Sequence, residues 1–199
     1  WMPAGGTSVV IAKPKVGKST FARNLSLDVA RGTDFLGHRT QQGPVIYIAL
    51  EETKRRVREQ FRSIGATGDE PIHIYVGPSP ENLFEDLYVL ARGIKPRLIV
   101  LDPMFRAVRV HDSSAYAEVT NALDPIIRLA ANTGCHVLVP HHAGKQSRDA
   151  VDSALGSTAI AGTFDSIFVL RDKAGQRSIE VVLREGEQIA QSMLSMEPE

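Results

Sequence analysis

The sequence predicts an α/β fold with a mostly parallel central sheet, helices on its faces and an antiparallel hairpin near the C-terminus. Three observations predict it. Short β-rich runs alternate with longer helical patterns along the chain. Several of the short runs, such as Val45–Leu50 and Leu98–Leu101, are apolar without alternation, the mark of strands buried on both faces. A Gly-Lys-Ser turn then joins the first strand pattern to the first helical one.

The strands expected are Thr7–Ala12, Pro44–Leu50, Ile72–Val76, Leu98–Asp102, Cys135–Pro140, Ser166–Arg171 and Ser178–Leu183. Helices are expected at Lys18–Arg31, Thr53–Gly65, Pro80–Arg92 and Ser114–Asn132. In the first, Phe21, Leu25 and Val29 recur every four residues and form one apolar stripe. In the last, Val119, Leu123, Ile126 and Ala130 share a face, but Asp124-Pro125 interrupts it. Either that helix kinks there, or a new one starts with Asp124 as its N-cap. The βαβα order implies right-handed crossovers. The turn Asp172-Lys173-Ala174-Gly175 joins the final two strands in a hairpin that closes the sheet edge.

Composition bounds the rest. The chain has 199 residues, 43% apolar and 23% charged, which suits one α/β domain spanning 1–199. Its abrupt entry into a strand after Trp1 suggests a domain excised from something longer. Lys and Arg number 23, as do Asp and Glu, so no overall basic field announces nucleic acid. A single cysteine, Cys135, excludes a disulfide framework within the chain and suits a cytoplasmic protein. No apolar run is long enough to span a bilayer.

The strongest motif is Ala12-Lys13-Pro14-Lys15-Val16-Gly17-Lys18-Ser19-Thr20, set between a strand and an amphipathic helix. Such a loop cradles β- and γ-phosphates with its backbone N–H groups, and the helix end adds partial positive charge. Gly17 turns the chain without a Cβ in the phosphate's way. Lys18 reaches the phosphates, and the Ser19 hydroxyl ligates Mg²⁺. Pro14, Lys15, Val16 and Thr20 complete the cradle. Ala12 stands where the pattern G-x-x-x-x-G-K-[ST] has its first glycine, so a slightly constrained loop is expected.

Acidic partners follow at two strand ends. Arg97–Asp102 is an apolar strand ending in a carboxylate, the Walker B form, which places Asp102 on the Mg²⁺ opposite Ser19. Val45–Leu50 runs into Glu51-Glu52. A strand-end glutamate can orient water in line with a γ-phosphate, and Glu51 is the choice. Glu52 would instead begin the next helix, where negative charge suits the N-terminal dipole; the two could exchange roles.

Together, Lys13–Thr20, Leu50-Glu51-Glu52-Thr53, Leu101-Asp102-Pro103 and Val139-Pro140-His141-His142-Ala143-Gly144-Lys145 resemble the AAA_25, or RepA-like, branch of RecA-fold ATPases. That branch includes plasmid-type hexameric replicative helicases and is related to DnaB-like helicases and KaiC-like ATPases. The segment Ala154–Ala161 also looks like its Gly-Ser-rich stretch. The resemblance implies a RecA-like P-loop fold and Mg²⁺-dependent ATP hydrolysis in an oligomeric, hexameric ring acting on DNA. It makes Glu51 the catalytic glutamate and His142 a sensor of the γ-phosphate. Arg184 becomes an arginine finger for the neighbouring subunit, with Lys145 and Arg148 as weaker candidates. Single-stranded DNA would meet the loop Ala143–Gly156; the basic run Lys54-Arg55-Arg56-Val57-Arg58 reads more simply as a solvated helix face with Val57 and Phe61 packed inward. The loop Met104–Ser114, with Arg106, Arg109 and His111, would move with nucleotide state. The alternatives are a KaiC-like regulatory ATPase acting on proteins and a nucleotide-binding scaffold that hydrolyses little.

Overall fold

A computed structural model describes residues 1–108, 110, 116–142, 158–184 and 189–194. Eight strands form one sheet in the order β3-β2-β4-β5-β1-β6-β7-β8. They are β1 (Thr7–Ala12), β2 (Val45–Ala49), β3 (Ile72–Val76), β4 (Leu98–Asp102), β5 (His136–His142), β6 (Ser166–Lys173), β7 (Gln176–Leu183) and β8 (Ile189–Leu194). The first six run parallel and the last two pair antiparallel. The helices are α1 (Lys18–Arg31), α2 (Lys54–Ser63), α3 (Leu83–Ile94), α4 (Met104–Ala107), α5 (Tyr116–Thr133) and α6 (Thr158–Thr163). Among the described residues no helix is long and apolar enough to cross a membrane.

The period of two along each strand sorts the core into two layers. Val9, Ile11, Ile46, Ile48, Ile99 and Leu101 face one cluster with α3 and α5; Val10, Ala12, Tyr47, Ala49 and Val100 face the other with α1 and α2. The unbroken apolar runs are therefore strands covered on both sides, as their composition predicts. β3 is the exception: it lies at the sheet edge with its middle residues exposed.

Helix ends follow local chemistry. α1 stops at Gly32, which takes φ 73° and bonds back to the Asp28 carbonyl. α2 starts at the N-cap Thr53, whose side chain accepts from the Arg56 amide. One alternative falls and two expectations change. Pro125 neither ends α5 nor starts a new helix; Leu123 and Ile126, both fully buried, hold the turns on each side against the core. Residues Met104–Ala107, expected in a loop, form α4. The β6–β7 hairpin does not close the edge, because β8 adds outside it.

His136 ties the start of the chain to the sheet. Its Nδ1 lies 2.8 Å from the Pro3 carbonyl, which can only accept, so Nε2 of the neutral ring accepts from the Ser8 hydroxyl, also at 2.8 Å. The neutral ring satisfies both partners, and burial lowers the histidine's pKa to about 4. The unfolded chain binds this proton below about pH 6.5 while the fold resists it until about pH 4. Stability is thus complete above pH 6.5 and is lost as pH falls toward 4. Urea unfolding at pH 7 and pH 4.5 should show His136→Gln losing less stability on acidification than wild type, by about 2–3 kcal/mol. Equal losses would remove His136 from the account.

Candidate nucleotide site

The loop between β1 and α1 contains two residues in left-handed backbone. Gly17 has φ 114° and Lys15 φ 68°; glycine adopts this freely, whereas for lysine it costs about 1–3 kcal/mol, the kind of strain that gathers at ligand sites. Gly17 is also the N-cap of α1, and no side chain caps the helix there. The first-turn amides and the positive helix end are left for an anion. Ala12 is ordinary buried strand, paired with His142 across β1 and β5. Its methyl group replaces the first glycine without demanding an unusual φ.

Lys18 is only 6% exposed, and its Nζ donates to the carbonyls of Ala12 at 3.1 Å and Lys13 at 3.4 Å. Burial lowers its pKa, and the Asp102 charge opposes that shift. The ammonium therefore sits against the loop, within the field of the β4 carboxylate. Ser19 follows directly in α1, half-buried, and Thr20 is exposed. Hydroxyl and carboxylate oxygens are hard donors that suit Mg²⁺. Among the described residues no three His, Cys, Asp or Glu side chains gather to hold a metal by themselves. A cation held by Ser19 and Asp102 would take its other ligands from phosphate and water.

β2 and β4 run side by side to their ends, with Ala49 opposite Asp102. The two glutamates that follow β2 have separate partners. Glu52 pairs with Arg23 of α1, which is 2% exposed, and more loosely with Arg56 at 3.6 Å. Glu51 is 42% exposed and meets Arg106 of α4 at 2.7 Å. Glu52 is thus committed to a buried cation, and α2 begins two residues later. Glu51 is held only by a surface pair.

His141 and His142 end β5 beside the loop, opposite Ile11 and Ala12. His141 is pushed down to about 4 by burial, then by His142 and Lys18, and packs edge-on against Phe105 at 4.8 Å. The His142 pKa is lowered by burial and by Lys18, while Glu51 and Asp102 raise it. The shift favours the neutral ring, which offers one N–H donor. Lys18 bonds to Ala12, which lies opposite His142, and Asp102 lies opposite Ala49, two residues before Glu51, so the four groups gather at one end of the sheet.

Arg184 lies elsewhere. Its amide donates to the Asp165 carbonyl at 2.9 Å, beyond the Ser166–Leu183 pair, at the end of the sheet where β1 begins. The loop follows the other end of β1. Arg184 and the loop of its own chain are a sheet length apart. Arg109, His111, Lys145, Arg148 and the segments Ala143–Gly156 and Ala154–Ser157 lie outside the described residues.

A family model for AAA domains, AAA_25, matches residues 1–148. The chain belongs to the AAA_25 family. The matched stretch holds Lys13–Thr20, Glu51, Asp102 and His142, and makes this a P-loop ATPase domain; Arg184 lies past it.

Four residues of this AAA domain escaped the sequence reading or its roles. Tyr47 donates its phenol proton to Asp102 Oδ2 at 2.7 Å. Arg23 is buried in α1, its guanidinium 5.7 Å from the Tyr47 ring centre. Arg106 was expected only to ride a mobile loop, yet it holds Glu51. On β7, Arg177 Nη1 lies 4.0 Å from where a Gly17 Cβ would be. Only Tyr47 carried a signal, as a lone hydroxyl in a strand otherwise aliphatic.

The two glutamates should separate in stability measurements. Glu52→Ala strands a buried guanidinium and should cost about 3–5 kcal/mol in denaturant unfolding. Glu51→Ala removes a surface pair and should cost less than about 1 kcal/mol. The reverse order would show that the pairing is misassigned.

Proposed function

We propose that this domain hydrolyses Mg·ATP as one subunit of a homo-oligomeric ring, and that the ring works on DNA as a replicative helicase motor. The observation that carries the proposal is the meeting of Lys18, Glu51, Asp102 and His142, which come from the loop and three different strand ends. Each matches a need of phosphoryl transfer. The loop amides and Lys18 bind and orient the phosphates. Ser19 and Asp102 hold Mg²⁺, which when bound would neutralise charge on the β- and γ-phosphates. Glu51 orients the attacking water and takes up its proton as the oxygen bonds to γ-phosphorus; the bond to the β–γ bridging oxygen breaks, leaving ADP and phosphate. The neutral His142 ring donates a hydrogen bond to the γ-phosphate.

The position of Arg184 supports a ring. At the far end of the sheet it is of no use to its own nucleotide, whereas a neighbouring subunit's ATP could meet it. Resemblance to a branch that includes plasmid-type helicases, and the exposed cations of Lys54, Arg55 and Arg58, support DNA as the substrate. A second reading, a KaiC-like regulatory ATPase or a scaffold that hydrolyses little, draws on the Arg106–Glu51 pair. A carboxylate held by a cation is not free to orient water.

Steady-state ATPase assays with and without single-stranded DNA decide between them. Hydrolysis stimulated by DNA in wild type and reduced about 10²–10⁴-fold in Glu51→Gln supports the motor. Activity indifferent to DNA that rises severalfold in Arg106→Ala favours the regulatory reading. Full activity in Glu51→Gln would remove that residue from the chemistry.

A further inference from the structure

Tyr47 is fully buried at the middle of β2, on the face covered by α1 and α2. The strand register places it opposite Val100, with Ala49 opposite Asp102, so the ring runs one pleat along the sheet toward the carboxylate. Its hydroxyl ends 2.7 Å from Asp102 Oδ2. Phe61 meets the ring edge-on at 5.4 Å, and the Arg23 guanidinium lies 5.7 Å from its centre. Burial, and next the Asp102 charge, push the phenol's pKa well above its ordinary value, so the oxygen keeps the proton it donates.

A buried phenol must find an acceptor, but a backbone carbonyl would serve for stability alone. Here the acceptor is the carboxylate assigned to Mg²⁺. A carboxylate that can swing presents its oxygens to a cation in many orientations. One held at Oδ2 by a rigid, packed ring presents Oδ1 in one. Groups that orient metal ligands in this way commonly govern metal affinity about 10–100-fold.

We propose that Tyr47 is a positioning residue for the metal-binding carboxylate, setting the affinity of the nucleotide site for its divalent cation through the hydrogen bond to Asp102. This rests on the Mg·ATP reading above. The hydroxyl also links the metal side of the site to the water side, because the cation beside its ring is the Arg23 that binds Glu52, next to Glu51.

The test is fluorescence titration of the 199-residue chain with a methylanthraniloyl-labelled ATP, first in EDTA and then across a Mg²⁺ series, with melting temperatures measured in parallel. Tyr47→Phe removes one oxygen and keeps the ring. It should leave the EDTA affinity within about twofold and raise the Mg²⁺ concentration for half-maximal tightening about tenfold. Phe61→Leu, which trims the packing against the ring but keeps its hydroxyl on Asp102, should move the Mg²⁺ midpoint clearly less than Tyr47→Phe does. In an Asp102→Asn background the Tyr47→Phe effect should shrink to about twofold or less. An unmoved midpoint in Tyr47→Phe overturns the proposal, as does an equal shift in Phe61→Leu or a full tenfold effect without the carboxylate. A wild type whose nucleotide affinity ignores Mg²⁺ would instead overturn the Mg·ATP reading on which the proposal stands.

Discussion

Burying the Arg23 guanidinium beneath the end of β2 costs several kcal/mol of hydration unless a carboxylate meets it, and Glu52 is the carboxylate that does. That requirement sets the path of the chain at the end of the strand. Arg23 belongs to the helix that begins with Lys18 and Ser19, so the phosphate loop and the β2 terminus are clamped together. Glu51, one residue earlier, is thereby placed beside the loop without being buried itself. The same guanidinium lies beside the ring of Tyr47, whose hydroxyl holds Asp102. Three elements that supply the chemistry are thus joined by polar contacts laid over an apolar sheet.

The strength of these contacts is graded. The Arg23–Glu52 pair is mostly buried and hard to break, whereas Glu51 and Arg106 are 42% and 64% exposed and exchange partners cheaply. Lys18 is similarly provisional. It donates to two loop carbonyls, bonds that it can trade for phosphate oxygens with a gain in charge pairing. The strained Lys15 and uncapped α1 are part of the same preparation. The scaffold is fixed, and the groups that would touch nucleotide are the ones held lightly.

Much of this was legible in the sequence because it is local. Doubly buried strands such as β2 and β4 announce themselves through unbroken apolar runs, and the loop through its Gly-Lys-Ser between strand and helix. What could not be read is tertiary. Tyr47 and Asp102 are 55 positions apart, and Arg23 and Glu52 are 29 apart; no periodicity records either pairing. Arg23 lies off the stripe of Phe21, Leu25 and Val29, yet α1 is enclosed on most of its circumference. Pro125 left two readings open locally, and the continuous helix, buried at Leu123 and Ile126 on either side of it, excludes a new start at Asp124. β8 was missed as a short edge strand without a core-forming run. Glu51 was distinguished from Glu52 only as a choice, and the structure supplies the physical difference between them.

The central claim is that Lys18, folded against its own loop, is held ready for the phosphates of Mg·ATP. Isothermal titration of wild type and Lys18→Ala with Mg·ATP, on samples shown to melt at similar temperatures, tests it most directly. The account predicts saturable binding by wild type and at least about tenfold weaker binding by Lys18→Ala, since each charged hydrogen bond to phosphate is worth about 1.5–3 kcal/mol. Equal affinity in the two proteins would contradict it.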